Sequence, residues 1–176
     1  MYTKLRPPYV GLLNASLPSM FKKPNHPNCS NALSTDCLVL SKSIKKILEE
    51  QHKIENLKIN FLDITFHRDD FRRDKVLNPN FNNMENDIEG KKIILIDDVL
   101  YTGRSVRSAL SALDYYGRPS KIQLLVLIDR RFARHLPIQP DFSGRQVDAI
   151  QNEKVFVNLS ADDKKNSVYI INETNE

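Results

Sequence analysis

The sequence predicts an α/β domain: a mostly parallel, twisted sheet flanked by helices, with an atypical arm at its N-terminus. Three observations carry that expectation. Ile93-Ile94-Leu95-Ile96 is an unbroken apolar run ending in Asp97-Asp98, the pattern of a strand buried on both faces. A helical pattern follows from about Arg104 to Tyr116, with Val106, Ala109, Leu110 and Leu113 on one face. Ile122 to Ile128 is then a second apolar run of strand length. Strand, helix and strand at this spacing form a right-handed parallel unit. Of the 176 residues, 40% are hydrophobic and 27% charged, a balance that suits one globular core.

Taken in order, residues 1–37 read as an irregular arm and residues 38–176 as the domain. Pro7-Pro8, Pro18, Pro24 and Pro27, with Asn25, Asn28 and Asn31, interrupt every helix or strand pattern in the arm. The formal net charge of +4 is concentrated there. Residues 1–45 hold six Lys or Arg against one acid, whereas the remainder holds 20 basic and 21 acidic residues. Net charge alone therefore says little about an anionic partner of the domain. Cys29 and Cys37 also lie in the arm; two cysteines make neither a disulfide framework nor a four-ligand zinc site, and they read as reduced thiols.

From Leu38 the pattern becomes regular. Leu40, Ile44, Ile47 and Leu48 recur at helical spacing, with Lys42, Lys45, Lys46, Glu49 and Glu50 facing outward. Leu57 to Ile64 reads as a strand, and residues 67–90 as a long, polar, mobile excursion. Gly117 stands where a helix C-terminal cap belongs, and Pro119 blocks continuation. Lys154–Val157 and Val168–Ile171 read as edge strands. No run of about 18 apolar residues is present, so no membrane partner is expected. The first residues lead to prolines rather than to an apolar signal region, and a cytoplasmic location is the expectation.

The chemistry concentrates in Asp97-Asp98-Val99-Leu100-Tyr101-Thr102-Gly103-Arg104-Ser105, which joins a buried strand to a helix. In open α/β sheets, ligands bind beyond the carboxyl ends of the strands. Thr102, Gly103 and Ser105 stand at the helix start, where backbone N–H groups and the helix dipole favour an anion. Gly103 lets a phosphate approach the backbone, and the two hydroxyls add donors. The lysine and spacing of a nucleotide-triphosphatase P-loop are lacking. The acids lie about one turn earlier, a separation that suits a phosphosugar, with carboxylates on vicinal hydroxyls or on Mg²⁺. A solvated turn with an acid pair, as in phosphoacceptor domains, would carry the same residues.

The order of these residues resembles a known family. Ile93 to Ser105 is similar to the phosphoribosyl-pyrophosphate signature of type I phosphoribosyltransferases. Val99-Leu100-Tyr101-Thr102-Gly103-Arg104 is similar, more particularly, to the bifunctional pyrimidine-operon attenuation regulators and uracil phosphoribosyltransferases. Further matches follow in order: Asp63-Ile64-Thr65-Phe66-His67-Arg68-Asp69-Asp70, Gly117-Arg118-Pro119-Ser120, Leu127-Ile128-Asp129-Arg130, Leu136–Asp141 and Glu153-Lys154-Val155. The likeness covers about residues 38–171.

The resemblance implies the type I phosphoribosyltransferase fold and the conversion of uracil and phosphoribosyl pyrophosphate to UMP and pyrophosphate, with Mg²⁺ as cofactor. Asp97 and Asp98 would be catalytic, holding the ribose hydroxyls and Mg²⁺, directly or through water. Arg68, at the foot of the mobile loop, would reach the pyrophosphate; taken alone it reads as a surface ion pair with Asp69 or Asp70. Tyr101, Thr102, Gly103, Arg104 and Ser105 would bind the 5′-phosphate, and backbone around Val155 the base. A second implied activity is binding of a leader-mRNA hairpin by a basic surface of a homodimer or higher oligomer. Its candidates are Arg72, Arg73, Lys75, Arg130, Arg131, Arg134 and Arg145, which without the resemblance read equally as a solvated basic face. A regulator that senses UMP without catalysis, and a transferase for another nucleobase, stay open.

One departure stands out. The family carries a pyrophosphate loop, roughly Gly-Ile-x-x-Arg-Gly, just before the helix that here contains Leu40 to His52. Asn28 to Cys37 occupy that place and include neither glycine nor arginine. The expectation is a core without its first strand and a transferase weakened by the missing loop.

Overall fold

The computed structural model describes residues 2–5, 29–32, 35–53, 57–64, 88–149, 153–160 and 166–172. Among the described residues the strands are β1 (Tyr2–Leu5), β2 (Cys29–Ala32), β3 (Lys58–Phe61), β4 (Lys92–Leu100), β5 (Lys121–Arg130), β6 (Phe142–Val147), β7 (Glu153–Asn158) and β8 (Ser167–Asn172). The helices among the described residues are α1 (Thr35–His52) and α2 (Arg104–Leu113). The main sheet runs β3-β2-β4-β5-β6 with every pairing parallel. A smaller antiparallel sheet runs β1-β8-β7.

The unbroken apolar run of β4 has a direct physical reason. Ile94 and Ile96 pack with Leu40, Ile44, Ile47 and Leu48 of α1 on one face. Ile93 and Leu95 pack with Val106, Ala109, Ala112 and Leu113 of α2 on the other. Strand β5 divides in the same way, Leu125 and Leu127 toward α1 and Leu124 and Val126 toward α2. Successive strand side chains point to opposite faces, so a strand covered on both sides must be apolar at every position. The small sheet closes the α1 side, with Val155, Val157 and Val168 in that core.

Helix α2 stops at Leu113, three residues before the expected Tyr116. Tyr115 N–H and Tyr116 N–H bond to the carbonyls three residues back, at 3.3 and 2.9 Å, which tightens the last turn. Gly117 then takes a φ of 126°, a conformation that a side chain would strain.

Several expectations differ from the structure. The described residues of the arm include β1 and β2, and β2 pairs parallel with both β3 and β4, so the core has a strand at the position expected to lack one. The sequence Cys29-Ser30-Asn31-Ala32 lacks the apolar run and β-branched residues that signal a buried strand; its neighbours on both sides define its place. Helix α1 begins at Thr35, inside the arm. Strand β8 is the middle strand of the small sheet, because β1 pairs along its second edge. Strand β6 was not foreseen: its polar residues suit an edge, and Gly144 lets it approach β5, since a Cβ there would lie 2.7 Å from the Leu127 carbonyl oxygen. The excursion expected over residues 67–90 lies mostly outside the described residues.

Candidate functional site

The last residues of β4 bring two carboxylates to the carboxyl end of the sheet. Asp97 is buried and Asp98 half-buried. Asp97 Oδ1 accepts a hydrogen bond from Asp98 N–H at 3.1 Å, and Asp98 Oδ1 one from Val99 N–H at 2.9 Å. Cys37, in the first turn of α1, turns its thiol onto both acids, 3.6 Å from Asp97 Oδ1 and 3.9 Å from Asp98 Oδ1. Burial, then the adjacent Asp98 charge, push the Asp97 carboxyl up to about 8. The thiol and the Asp98 N–H work in the opposite direction, because both stabilise the ionised form. Ligand atoms of Cys37, Asp97 and Asp98 lie within 4.8 Å of one another. Two carboxylates so placed suit a hard cation that keeps part of its water shell.

Beyond the acids, the chain turns into α2. Gly103 takes a φ of 90° as the N-terminal cap, and no side chain caps the helix there. Its missing Cβ is used: one would lie 3.2 Å from Ile138 Cδ1. Thr102 Oγ1 accepts from Arg104 N–H at 3.4 Å. No acid stands in the first turn of α2 to oppose an anion. Asp97 and residues Val99 to Val106 line a cavity of about 270 Å³, so Asp97 and the uncapped helix start share one space. Tyr101, Thr102, Gly103, Arg104 and Ser105, named from sequence, are thereby brought together with Asp97.

A second cavity of about 760 Å³ is built by the segment after β5, including Asp129, Arg134, Leu136, Ile138 and Pro140. The two regions are joined by hydrogen bonds. Arg134 Nη1 donates to the carbonyls of Leu100, at 3.0 Å, and Tyr101, while its Nη2 donates to Asp129 Oδ1. The N–H groups of His135 and Leu136 both donate to the Thr102 carbonyl, at 3.0 and 3.2 Å. Arg130 is buried, with its guanidinium 4.0 Å from the Tyr101 ring centroid and Nη2 donating to the Glu153 carbonyl at 2.8 Å.

The arginines expected to form an outward face are thus divided. Arg130 and Arg134 turn inward and serve the site's architecture, which corrects the expectation of a uniform surface patch. Arg131 is exposed and makes a bidentate pair with Asp148, both bonds 2.6 Å. Arg145 is exposed on β6. Val155 directs its side chain into the α1 core, leaving only its backbone for the role expected of it. Arg68, Arg72, Arg73 and Lys75 lie outside the described residues. Cys37 and the Arg134–Asp129 pair were missed as site elements. Nothing local announces them; each acts on residues 33 or more positions away or across a turn.

Comparison with known proteins adds a consistent finding. The phosphoribosyl transferase domain family matches residues 32–164. The bifunctional protein PyrR of a Picosynechococcus species is 43% identical over 132 residues, which span 75% of this chain and 73% of that protein. The protein of the same name from Clostridium kluyveri is 45% identical over 128 residues, 72% of each chain. Among solved structures, the hypoxanthine phosphoribosyltransferase of Trypanosoma cruzi superposes with a TM-score of 0.60 over 93% of this chain and 87% of its own, at 13% identity. One from Staphylococcus aureus gives 0.58 over 81% and 75%, at 19% identity.

Proposed function

The chain belongs to the type I phosphoribosyltransferase family, and from that membership we propose that it binds phosphoribosyl pyrophosphate and uracil, forms UMP and pyrophosphate, and regulates a pyrimidine operon through leader mRNA. The observation that carries the reading is the shared cavity. Asp97, with Asp98 beside it, and the uncapped, glycine-opened start of α2 meet at one place, where Asp97 and the helix start line a common space; this suits a sugar with hydroxyls at one end and a phosphate at the other.

In this reading the 5′-phosphate rests on the backbone and hydroxyls of Tyr101 to Ser105, where the helix dipole favours it. Asp97 and Asp98 accept the ribose hydroxyls. As the bond from C1′ to pyrophosphate lengthens, positive charge grows on the sugar ring and the carboxylates stabilise it. Uracil N1 forms the new bond to C1′, pyrophosphate departs, and the N1 proton passes to water. The donor set fits Mg²⁺, which Asp97 and Asp98 would hold directly or through water. Bound there, the ion supplies charge neutralisation for the departing pyrophosphate. Arg68 is proposed at the pyrophosphate, and backbone near Val155 at the base. Catalysis rests on positioning and electrostatics.

For RNA, exposed Arg131 and Arg145 are the candidates among the described residues, joined in the proposal by Arg72, Arg73 and Lys75. A homodimer or higher oligomer in the cytoplasm completes the reading. The substitution of the pyrophosphate loop favours a second reading, a UMP-sensing RNA regulator without catalysis. Two measurements separate them: UMP formation from uracil and phosphoribosyl pyrophosphate, and salt-dependent, UMP-enhanced binding of a pyrimidine leader hairpin. Hairpin binding without UMP formation selects the second reading; failure of both removes the proposal.

A further inference from the structure

Building on that reading of the site, we infer that Arg134 is a positioning residue: it aims the backbone N–H groups of the phosphate loop by holding the loop's carbonyls on the opposite side. Its side chain is 21% exposed and is committed on both branches of the guanidinium. Nη1 takes the Leu100 carbonyl at 3.0 Å and the Tyr101 carbonyl beside it. Nη2 takes the buried Asp129 carboxylate. The next two N–H groups, of His135 and Leu136, take the Thr102 carbonyl at 3.0 and 3.2 Å.

Three successive carbonyls, those of residues 100, 101 and 102, are therefore held by the segment 134–136. In an extended strand, successive carbonyls point to alternate sides, so this arrangement needs partners outside the loop. Among the described residues no peptide bond is cis. Across a planar trans peptide, N–H points opposite to C=O. The N–H groups of Tyr101, Thr102 and Gly103 are thus turned away from Arg134, in a row on the other side of the loop. Successive N–H groups on one side of a turn make an anion-binding concavity, and these three residues line the 270 Å³ cavity. A guanidinium suits the task because its fork of donors reaches two carbonyls and a carboxylate at fixed angles. A lysine ammonium is a point charge with three donors and cannot reproduce that fork. Arg134 also lines the larger cavity, so one side chain borders that cavity and holds the carbonyls of the loop that lines the smaller one.

The experiment compares the full chain with Arg134→Met, Arg134→Lys and the exposed control Lys46→Ala. Two quantities are read: the UMP dissociation constant by calorimetry, and the shift of the Gly103 amide resonance on adding UMP. Arg134→Met is expected to weaken UMP at least tenfold and to abolish the Gly103 shift. Arg134→Lys should fall between, and Lys46→Ala should match the wild type. The amide shift separates positioning from a mere loss of stability, which would lower the melting temperature and leave the shift intact in folded protein. Arg134→Lys keeps the charge and decides the matter if the Met variant fails to fold. UMP affinity within twofold of wild type in the folded Arg134 variants overturns the inference alone. A wild-type chain that binds no UMP overturns the reading of the site, and the inference with it.

Discussion

At Asp97, burial and the neighbouring Asp98 carboxylate raise the carboxyl from 3.8 to about 8, and this links stability to pH with a definite sign. The folded-state value lies above the unfolded one, so the folded chain holds an additional proton between about pH 4 and 8. The group's favourable contribution is fully present below about pH 4 and is lost as pH rises through about 8. For a single proton the slope is at most about 1.4 kcal/mol per pH unit. Asp97→Asn removes the ionisation. The variant is therefore expected to gain stability relative to wild type as pH rises from 5 to 8. Urea unfolding at each pH tests this; a constant difference across the range would contradict it. Gly103 carries the second residue-scale prediction. Its φ of 90° and the contact with Ile138 leave no comfortable place for a methyl group. Gly103→Ala should cost on the order of 1–3 kcal/mol of stability and weaken UMP binding, and unchanged values of both would show that the turn tolerates a side chain. The acid pair and the glycine were legible from sequence because their chemistry is local to one loop. Cys37 was not, because its relation to Asp97 spans 60 residues and exists only once α1 packs on β4.

Among the elements, β4 holds the two layers together, since its residues alternate between the α1 and α2 cores. Leu95 is fully buried on the α2 face. Leu95→Ala is expected to cost about 2–5 kcal/mol through lost contacts and a residual cavity; a measured loss below about 1 kcal/mol would mean the layers repack freely. The Arg131–Asp148 pair offers the contrast, because both partners are about half exposed. Asp148→Ala should leave stability nearly unchanged despite the bidentate geometry, because water screens an exposed pair; a clear shift of the denaturant midpoint would contradict this. Element type followed from periodicity for β4, α2 and β5, where both faces or one stripe are apolar over a long run. Strand β6 escaped notice because an edge strand needs little apolar surface. Strand β2 escaped because four small residues, two of them polar, carry no period. Its pairing is supplied by β3 and β4.

For the whole molecule, β4 and α2 carry the proposed phosphate and sugar subsites, while the segment leading into α1 differs from the family pattern. Asn28 to Cys37 contain no glycine and no arginine where a pyrophosphate loop is expected. UMP carries no pyrophosphate, so the chain should bind UMP yet turn over phosphoribosyl pyrophosphate poorly. Calorimetry with UMP beside a turnover assay tests the pair of outcomes, and ordinary enzymatic turnover would overturn it. By itself the sequence determined the α/β class, the central strand–helix–strand unit and the family, and it singled out the loop proposed to bind phosphate. Each of these is written in contiguous residues whose period or order is set by local geometry. Only the tertiary structure decided that the core has a strand at β2, that Cys37 rests on the acid pair, and that Arg130 and Arg134 turn inward. Those facts depend on which distant groups share a space, and a buried arginine and a surface arginine are the same letter until packing removes one of them from water.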